Sequence, residues 1–181
     1  MNFSENSKSM LKTALATALL VLSAEIHAED DICTDGRDCA QKGYTLYQNG
    51  SYVRAKNLLK ISCQQDFAAG CFGLGFLYEN GLGVIPEYTT AFGYFSKSCE
   101  LQFGDGCYYV GLYYIEGKVH RTDHEKAEIY FEKACGLKHA DACAMAAAFY
   151  HEKKNDGSEL KAREFLKKAC EYGSADSCEK P

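Results

Sequence analysis

Eight of the ten cysteines in this chain form four pairs with seven residues between the members: Cys63 and Cys71, Cys99 and Cys107, Cys135 and Cys143, Cys170 and Cys178. Cysteines can hold a metal, cycle as a redox couple or crosslink the chain, and their spacing separates these chemistries. Structural zinc sites and dithiol oxidoreductases both use cysteines two residues apart, and no such spacing occurs here. Crosslinking remains. Two further groups could do chemistry. Ser158-Glu159-Leu160-Lys161 has the Ser-x-x-Lys form of a serine β-lactamase nucleophile, but the companion Ser-Asp-Asn and Lys-Thr-Gly elements are absent, and Ser158 reads better as the N-cap of a helix. His120 and His124 flank Asp123 without a His-Glu-x-x-His motif and read as a loop residue and a helix-start residue. No cofactor or metal is implied.

Export explains why so many cysteines would be crosslinked. Lys8 and Lys12 precede an uncharged, Ala- and Leu-rich stretch from Thr13 to Ala24, and Ala28 offers a small residue at a cleavage point. This reads as a signal peptide over 1–28, because the apolar run falls short of the roughly 20 residues a spanning helix needs. Cys33 follows Asp30-Asp31-Ile32, so no lipid attachment is indicated. Residues 29–181 remain as one domain with all ten cysteines, expected to be periplasmic or secreted and without a membrane span. An even cysteine count in an exported chain reads as a disulfide framework. A net charge of −5 with acidic and basic residues mixed leaves no basic stripe for nucleic acid.

The first cysteines of the four pairs step by 36, 36 and 35 residues, a period at which chains build stacked helical hairpins. Ala91, Tyr94, Phe95, Ser98 and Cys99 fall on one face of a helix, and the pattern recurs from Ala55, Ala127 and Ala162. These are outer helices, with Lys56, Lys60, Glu128, Lys133, Arg163 and Lys167 on the solvated side. Inner helices start near each second cysteine: Cys71, Leu74, Gly75 and Tyr78 share a face, as do their counterparts 36 residues on. Gly75, Gly111 and Ala147 would let a neighbouring helix approach at Ala91, Ala127 and Ala162, and Tyr78, Tyr114 and Tyr150 read as core. Glycines 81, 83 and 117 should end inner helices. The fourth unit lacks paired glycines there, and its loop should differ.

The string Leu-Gly-x-x-Tyr-x-x-Gly-x-Gly-Val from Leu74, followed by Ala-x-x-Tyr and Lys-x-Cys, is similar to the Sel-one-like repeat, a helix-turn-helix relative of the tetratricopeptide repeat. With cysteines eight apart in every repeat, the chain resembles the Helicobacter cysteine-rich protein family of exported repeat proteins. The resemblance runs from about Cys39 to Cys178 and implies an all-α, α/α superhelix (solenoid) clipped by disulfides. Its units are expected at about 37–65, 66–101, 102–137 and 138–173, with a cap at 174–181. Two regular pairings fit the helices. One closes each hairpin, as in Cys71 with Cys99, and leaves Cys33 and Cys178 over at opposite ends. The other joins each outer helix to the next inner helix, as Cys63–Cys71, Cys99–Cys107, Cys135–Cys143 and Cys170–Cys178 with Cys33–Cys39. The second uses all ten cysteines and is the pairing the resemblance implies.

The resemblance also raises β-lactams as ligands or substrates, because members are described as penicillin-binding or as β-lactamases. The residues themselves point to binding. Stacked hairpins present their inner helices as a continuous surface for extended ligands; Asn80, Glu116 and Glu152 recur there at the 36-residue step, as do Tyr109 and Met145, with Phe76 close by. This predicts an acidic, partly aromatic groove for a peptide, a protein or a cell-wall fragment.

Overall fold

The computed structural model describes residues 32–153 and 155–178; the expected signal peptide lies outside the described residues. Among the described residues eight α-helices follow one another: α1 Gly36–Gln48, α2 Tyr52–Gln64, α3 Ala68–Asn80, α4 Tyr88–Glu100, α5 Gly104–Glu116, α6 His124–Gly136, α7 Ala140–Glu152 and α8 Asp156–Glu171. A 3-10 turn, Ala175–Ser177, ends the described chain. Each odd-numbered helix packs against the helix that follows it, and each hairpin packs on the next. The architecture is the all-α repeat solenoid that the periodicity predicts.

The core runs along the contact between inner and outer helices. Ala55, Ala91 and Ala127 are completely buried, as are Phe95 and Phe131. Gly75 and Gly111 are small because of those two rings. A Cβ on Gly75 would lie 2.6 Å from the Phe95 ring, and one on Gly111 would lie 2.8 Å from the Phe131 ring. The close approach is therefore to the phenylalanine one turn beyond Ala91 or Ala127, not to the alanine itself. Where residue 147 is alanine, the matching outer position is Leu166, and the smaller side chain leaves room for a Cβ.

Tyr78, Tyr114 and Tyr150 are half-buried and not full core. Each lies against an outer-helix ring: Tyr94 at 5.6 Å, Tyr130 at 5.7 Å and Phe165 at 5.5 Å between centroids, with planes 18–25° apart. Inner helices α3 and α5 end on left-handed Gly81 and Gly117, at φ 67° and 65°. The fourth unit replaces this glycine with Lys153 in a right-handed conformation.

Outer helices end in one repeated turn. In α4 the Phe103 amide donates to the Ser98 carbonyl and the Gln102 amide to the Cys99 carbonyl, a Schellman pattern that satisfies two of the last carbonyls. The position that this motif normally fills with glycine holds Asp66, Gln102 and Lys138, at φ 55°, 64° and 67°, and then Gly173. The turn brings the two cysteines of each pair together. Cα separations are 4.5, 4.5, 4.6 and 4.8 Å across the four long pairs and 5.1 Å for Cys33–Cys39, all within disulfide reach. Three staples tie an outer helix to the next inner helix, Cys33–Cys39 clips the start of α1, and Cys170–Cys178 ties α8 to the 3-10 turn.

Candidate functional site

Packing of α1 against α3 leaves a cavity of about 540 Å³ on the inner-helix side, extending to the start of α5. Its walls are aromatic: Tyr44 and Tyr47 from α1, Phe67, Phe72 and Phe76 from the α3 segment, and Phe103 before α5. Tyr44 and Tyr47 stack at 6.1 Å, and the Phe76 ring meets Tyr47 edge-on at 5.9 Å. Gly73 forms part of the floor, since a Cβ there would press to 3.0 Å from Leu59. Two charges stand at the margin. Arg37 lies 5.9 Å from the Phe67 ring centroid. Asp105, at the other side, meets the His139 Nε2 at 3.2 Å. The His139 Nδ1 accepts the Ala142 amide at 3.1 Å and so caps α7.

Of the six residues expected to form a groove, only Phe76 lines this cavity. Met145 borders a different hollow, between α7 and α8. Tyr109 is half-buried between units, 4.7 Å from Phe95 and 5.4 Å from Phe72, where it packs one hairpin on the next. Asn80, Glu116 and Glu152 are the exposed last residues of α3, α5 and α7. Asn80 turns back to donate to the Phe76 carbonyl at 2.9 Å. Glu116 pairs with Lys118 at 2.7 Å. The continuous acidic groove is thus two separate hollows with carboxylates at the helix ends. Arg37, Tyr44 and Tyr47 escaped the sequence reading because stepping by 36 fails in the shorter first unit, and Phe103 because it precedes the helix on which the groove was expected. The three-residue spacing of Tyr44 and Tyr47 on an inner helix was the available signal.

Lys118 also contacts Glu79 at 2.8 Å and lies 5.1 Å from the Tyr113 ring centroid. Burial opposes its charge, but hydrogen bonds to Glu116 and Glu79 hold its pKa above the ordinary value. Burial, reinforced by the Glu79 charge, also raises the Tyr113 hydroxyl. The cluster closes the loop after α5 onto α3.

Ser158 is not an N-cap. Asn155 holds that position, and Ser158 completes a capping box three residues in: its amide donates to Asn155 Oδ1 at 2.8 Å and its hydroxyl accepts the Asn155 amide at 3.0 Å. Its hydroxyl also donates to the Asn155 carbonyl at 2.8 Å, and the residue is 4% exposed. Lys161 reaches the Tyr150 hydroxyl instead, at 3.2 Å. The Ser-x-x-Lys string is a helix start. Among the described residues no group of His, Cys, Asp and Glu is arranged to hold a metal ion, and no helix is long and apolar enough to cross a membrane.

Helical hairpins at this period, with small residues at the inner-outer contact and a staple at each junction, define a disulfide-clipped repeat protein. The chain belongs to the Sel1 repeat family, whose repeats match residues 68–103, 104–139 and 140–174. It is similar to Helicobacter pylori cysteine rich protein B, with 31% identity and a TM-score of 0.53 over 77% of this chain and 94% of that one. A Sel1 repeat protein from Oxalobacter formigenes is 26% identical with a TM-score of 0.71, covering 76% of this chain and 57% of that one. This chain therefore spans less than two thirds of that protein's length. A protective antigen of uropathogenic Escherichia coli strains shares the fold, at 22% identity and a TM-score of 0.67, over 79% of this chain and 32% of that one. No curated protein matches the chain.

Proposed function

We propose that the chain is an exported protein- or peptide-binding module, with host or cell-wall partners, whose ligand inserts an apolar side chain into the aromatic cavity between α1 and α3. The cavity carries this reading. At about 540 Å³ it lies within the usual range of ligand pockets, which are mostly apolar with a few polar groups that fix orientation. Here those groups are Arg37 and Asp105. Tyr44 is 55% exposed at its mouth, a large amphipathic ring of the type enriched at binding hot spots. Export is supported by the leader-like N-terminus and by ten cysteines all placed for pairing.

Peptides selected against the oxidised protein from a displayed library test the site. Tyr44→Ala and Phe76→Ala should each weaken the selected peptides at least tenfold; unchanged affinity in both variants would place binding elsewhere. N-terminal sequencing of protein from the periplasm or medium should begin at Glu29, and a chain that retains Met1 and stays in the cytosol would refute export. No observation favours the β-lactam reading, because the Ser158 hydroxyl is committed to its capping box. A chromogenic cephalosporin should pass unhydrolysed over the pure oxidised protein.

A further inference from the structure

Arg37 stands on the wall of the aromatic cavity without an anionic partner. It is exposed on the first turn of α1, 5.9 Å from the centre of the Phe67 ring, and makes no ion pair among the described residues. The carboxylates around it are engaged elsewhere. Asp35 Oδ1 accepts the Asp38 amide at 2.9 Å, Asp38 Oδ2 pairs with Lys42 at 3.2 Å, and Asp66, beside Phe67, pairs with Lys97 at 2.8 Å. Gln41, one turn further along α1, lines the same cavity, and its side-chain amide donates to nothing among the described residues. At the margin formed by α5 the one lining carboxylate, Asp105, faces His139 at 3.2 Å. The cavity is therefore aromatic within, cationic at one margin and anionic at the other.

We infer that the cavity takes the C-terminal residue of a polypeptide that ends in an aromatic side chain and a free carboxylate. The ring enters between α1 and α3, and the carboxylate meets Arg37. This rests on the cavity being the binding site and adds which group the ligand presents there. Charge complementarity carries it. A guanidinium stacked on an aromatic face is held ready for the two oxygens of a carboxylate, and it loses less side-chain freedom on binding. A ring suits walls made of rings, because aromatic pairs gain from edge-on and offset contacts at about 4.5–7 Å. The geometry of a peptide selects a terminus over an acidic side chain. In an extended peptide the neighbours of an inserted side chain point the opposite way, and the next residue on the same face is about 7 Å further along. The α-carboxylate of a terminal residue shares the Cα of the inserted ring, so a ring against Phe67 and a carboxylate at Arg37 are reached together. Asp105 repels a carboxylate at its own margin, which leaves the terminus one end of the cavity.

Two fluorescein-labelled peptides test it on the oxidised protein by fluorescence anisotropy: Gly-Ser-Gly-Ser-Tyr-Phe with a free C-terminal carboxylate, and the same chain ending in a carboxamide. The acid should bind saturably and at least tenfold more tightly than the amide, and the gap should narrow as salt is raised. Arg37→Gln should erase the gap, Arg37→Lys should keep part of it, and Lys60→Ala on α2 should leave both affinities unchanged. Tyr44→Ala should weaken acid and amide alike. Equal affinity of acid and amide would overturn the inference, and so would an Arg37→Gln protein, with helical circular dichroism intact, that still prefers the acid. In either case a loss of affinity in Tyr44→Ala would leave the cavity itself as the binding site, so the two readings fail separately. An amide with aspartate two residues before its phenylalanine that binds as tightly as the acid would assign Arg37 to side-chain carboxylates and refute the terminus. Failure of both peptides to bind also refutes it, whatever peptides a displayed library yields. Sedimentation showing self-association that Tyr44→Ala abolishes would make the occupant a second copy and end the proposal.

Discussion

Between Cys99 and Cys107 the outer-helix turn feeds α5, and Tyr109 and Tyr113 of that helix lie 4.7 and 5.8 Å from the Phe95 ring. Between Cys170 and Cys178 the turn has the same two backbone hydrogen bonds, from the Gly173 amide to the Cys170 carbonyl and from the Ser174 amide to the Ala169 carbonyl. Among the described residues it feeds three residues of 3-10 helix, and Leu166 is half-buried. The two junctions separate what a staple does from what grips a helix. The turn and the staple are local, closing a span of eight residues in both places, and they aim the chain. Cohesion between hairpins comes from rings on α3, α4 and α5, far apart in sequence. An inner helix is held where those rings exist.

Truncating the ring at the centre of the first junction should have the largest effect. Phe95→Ala empties a completely buried site and should cost about 3–5 kcal/mol in urea unfolding of the oxidised protein. Leu166→Ala, at the matching terminal position, should cost less than half of that because Leu166 packs on one side only. Equal losses would mean that Leu166 is packed as fully as Phe95. The staples come next. Each of the four long pairs closes a nine-residue loop, both cysteines counted, for which chain entropy gives about 2.5 kcal/mol. Cys99→Ser with Cys107→Ser should lower stability by about that amount, whereas Cys170→Ser with Cys178→Ser should barely move the unfolding midpoint and should speed amide exchange only around Ala175–Ser177.

The contrast between the junctions also marks how far the sequence could be read. Helix order, outer and inner faces and the all-α solenoid follow from the spacing of Ala91, Phe95 and Cys99 and its repeats, because burial along a helix imposes period 3.6 whatever the neighbours are. The groove was less legible. Stepping by 36 identifies equivalent positions but not their surroundings, so Tyr109 on α5 and Met145 on α7 looked alike. One is enclosed by Phe72 and Phe95, and the other borders a hollow because Ala144 and Ala148 replaced larger residues. Tyr44 and Tyr47 lie in a unit of different length, where no counting rule reaches them. Ser158 could be placed at a helix start, but the choice between N-cap and third residue depended on the Asn155 side chain.

The last hairpin adds a polar tie to the ring stack that it shares with the earlier ones. Tyr150 donates to Glu132 Oε1 at 2.6 Å, a bond that joins α7 to α6, whereas Tyr78 and Tyr114 stack without one among the described residues. That bond, with partial burial, pushes the Tyr150 pKa from 10.0 up to about 12. Below 10 the hydroxyl is protonated in the folded and unfolded chain alike, and the bond contributes in full. Between 10 and about 12 the unfolded chain gives up the proton more readily than the folded one, so stability falls as pH rises through this window. The melting temperature should therefore drop over that range, and Tyr150→Phe should flatten the drop while lowering the value at pH 8. A drop of the same size in Tyr150→Phe would assign the alkaline sensitivity to another tyrosine.

The smallest effect has opposite signs at the two junctions. Gln102 is held left-handed at φ 64°, a conformation that costs a side chain about 1–2 kcal/mol, and the turn imposes it through the Gln102 and Phe103 amide bonds. Gln102→Gly should relieve that strain and lose part of the gain to the greater freedom of glycine in the unfolded chain. A net stabilisation of about 0.5–1 kcal/mol is expected. At the terminal junction Gly173 already occupies the equivalent place, with φ 108°. Gly173→Ala should destabilise by about 1 kcal/mol or more, and the loss should appear as local fraying after α8, because among the described residues only the Ala175–Ser177 turn follows it. Urea midpoints for the two variants, measured beside amide exchange at residues 171–177, give both signs. If Gln102→Gly destabilises the protein, the interior turn is held by contacts of the Gln102 side chain, and the equivalence of the two junctions at the backbone fails.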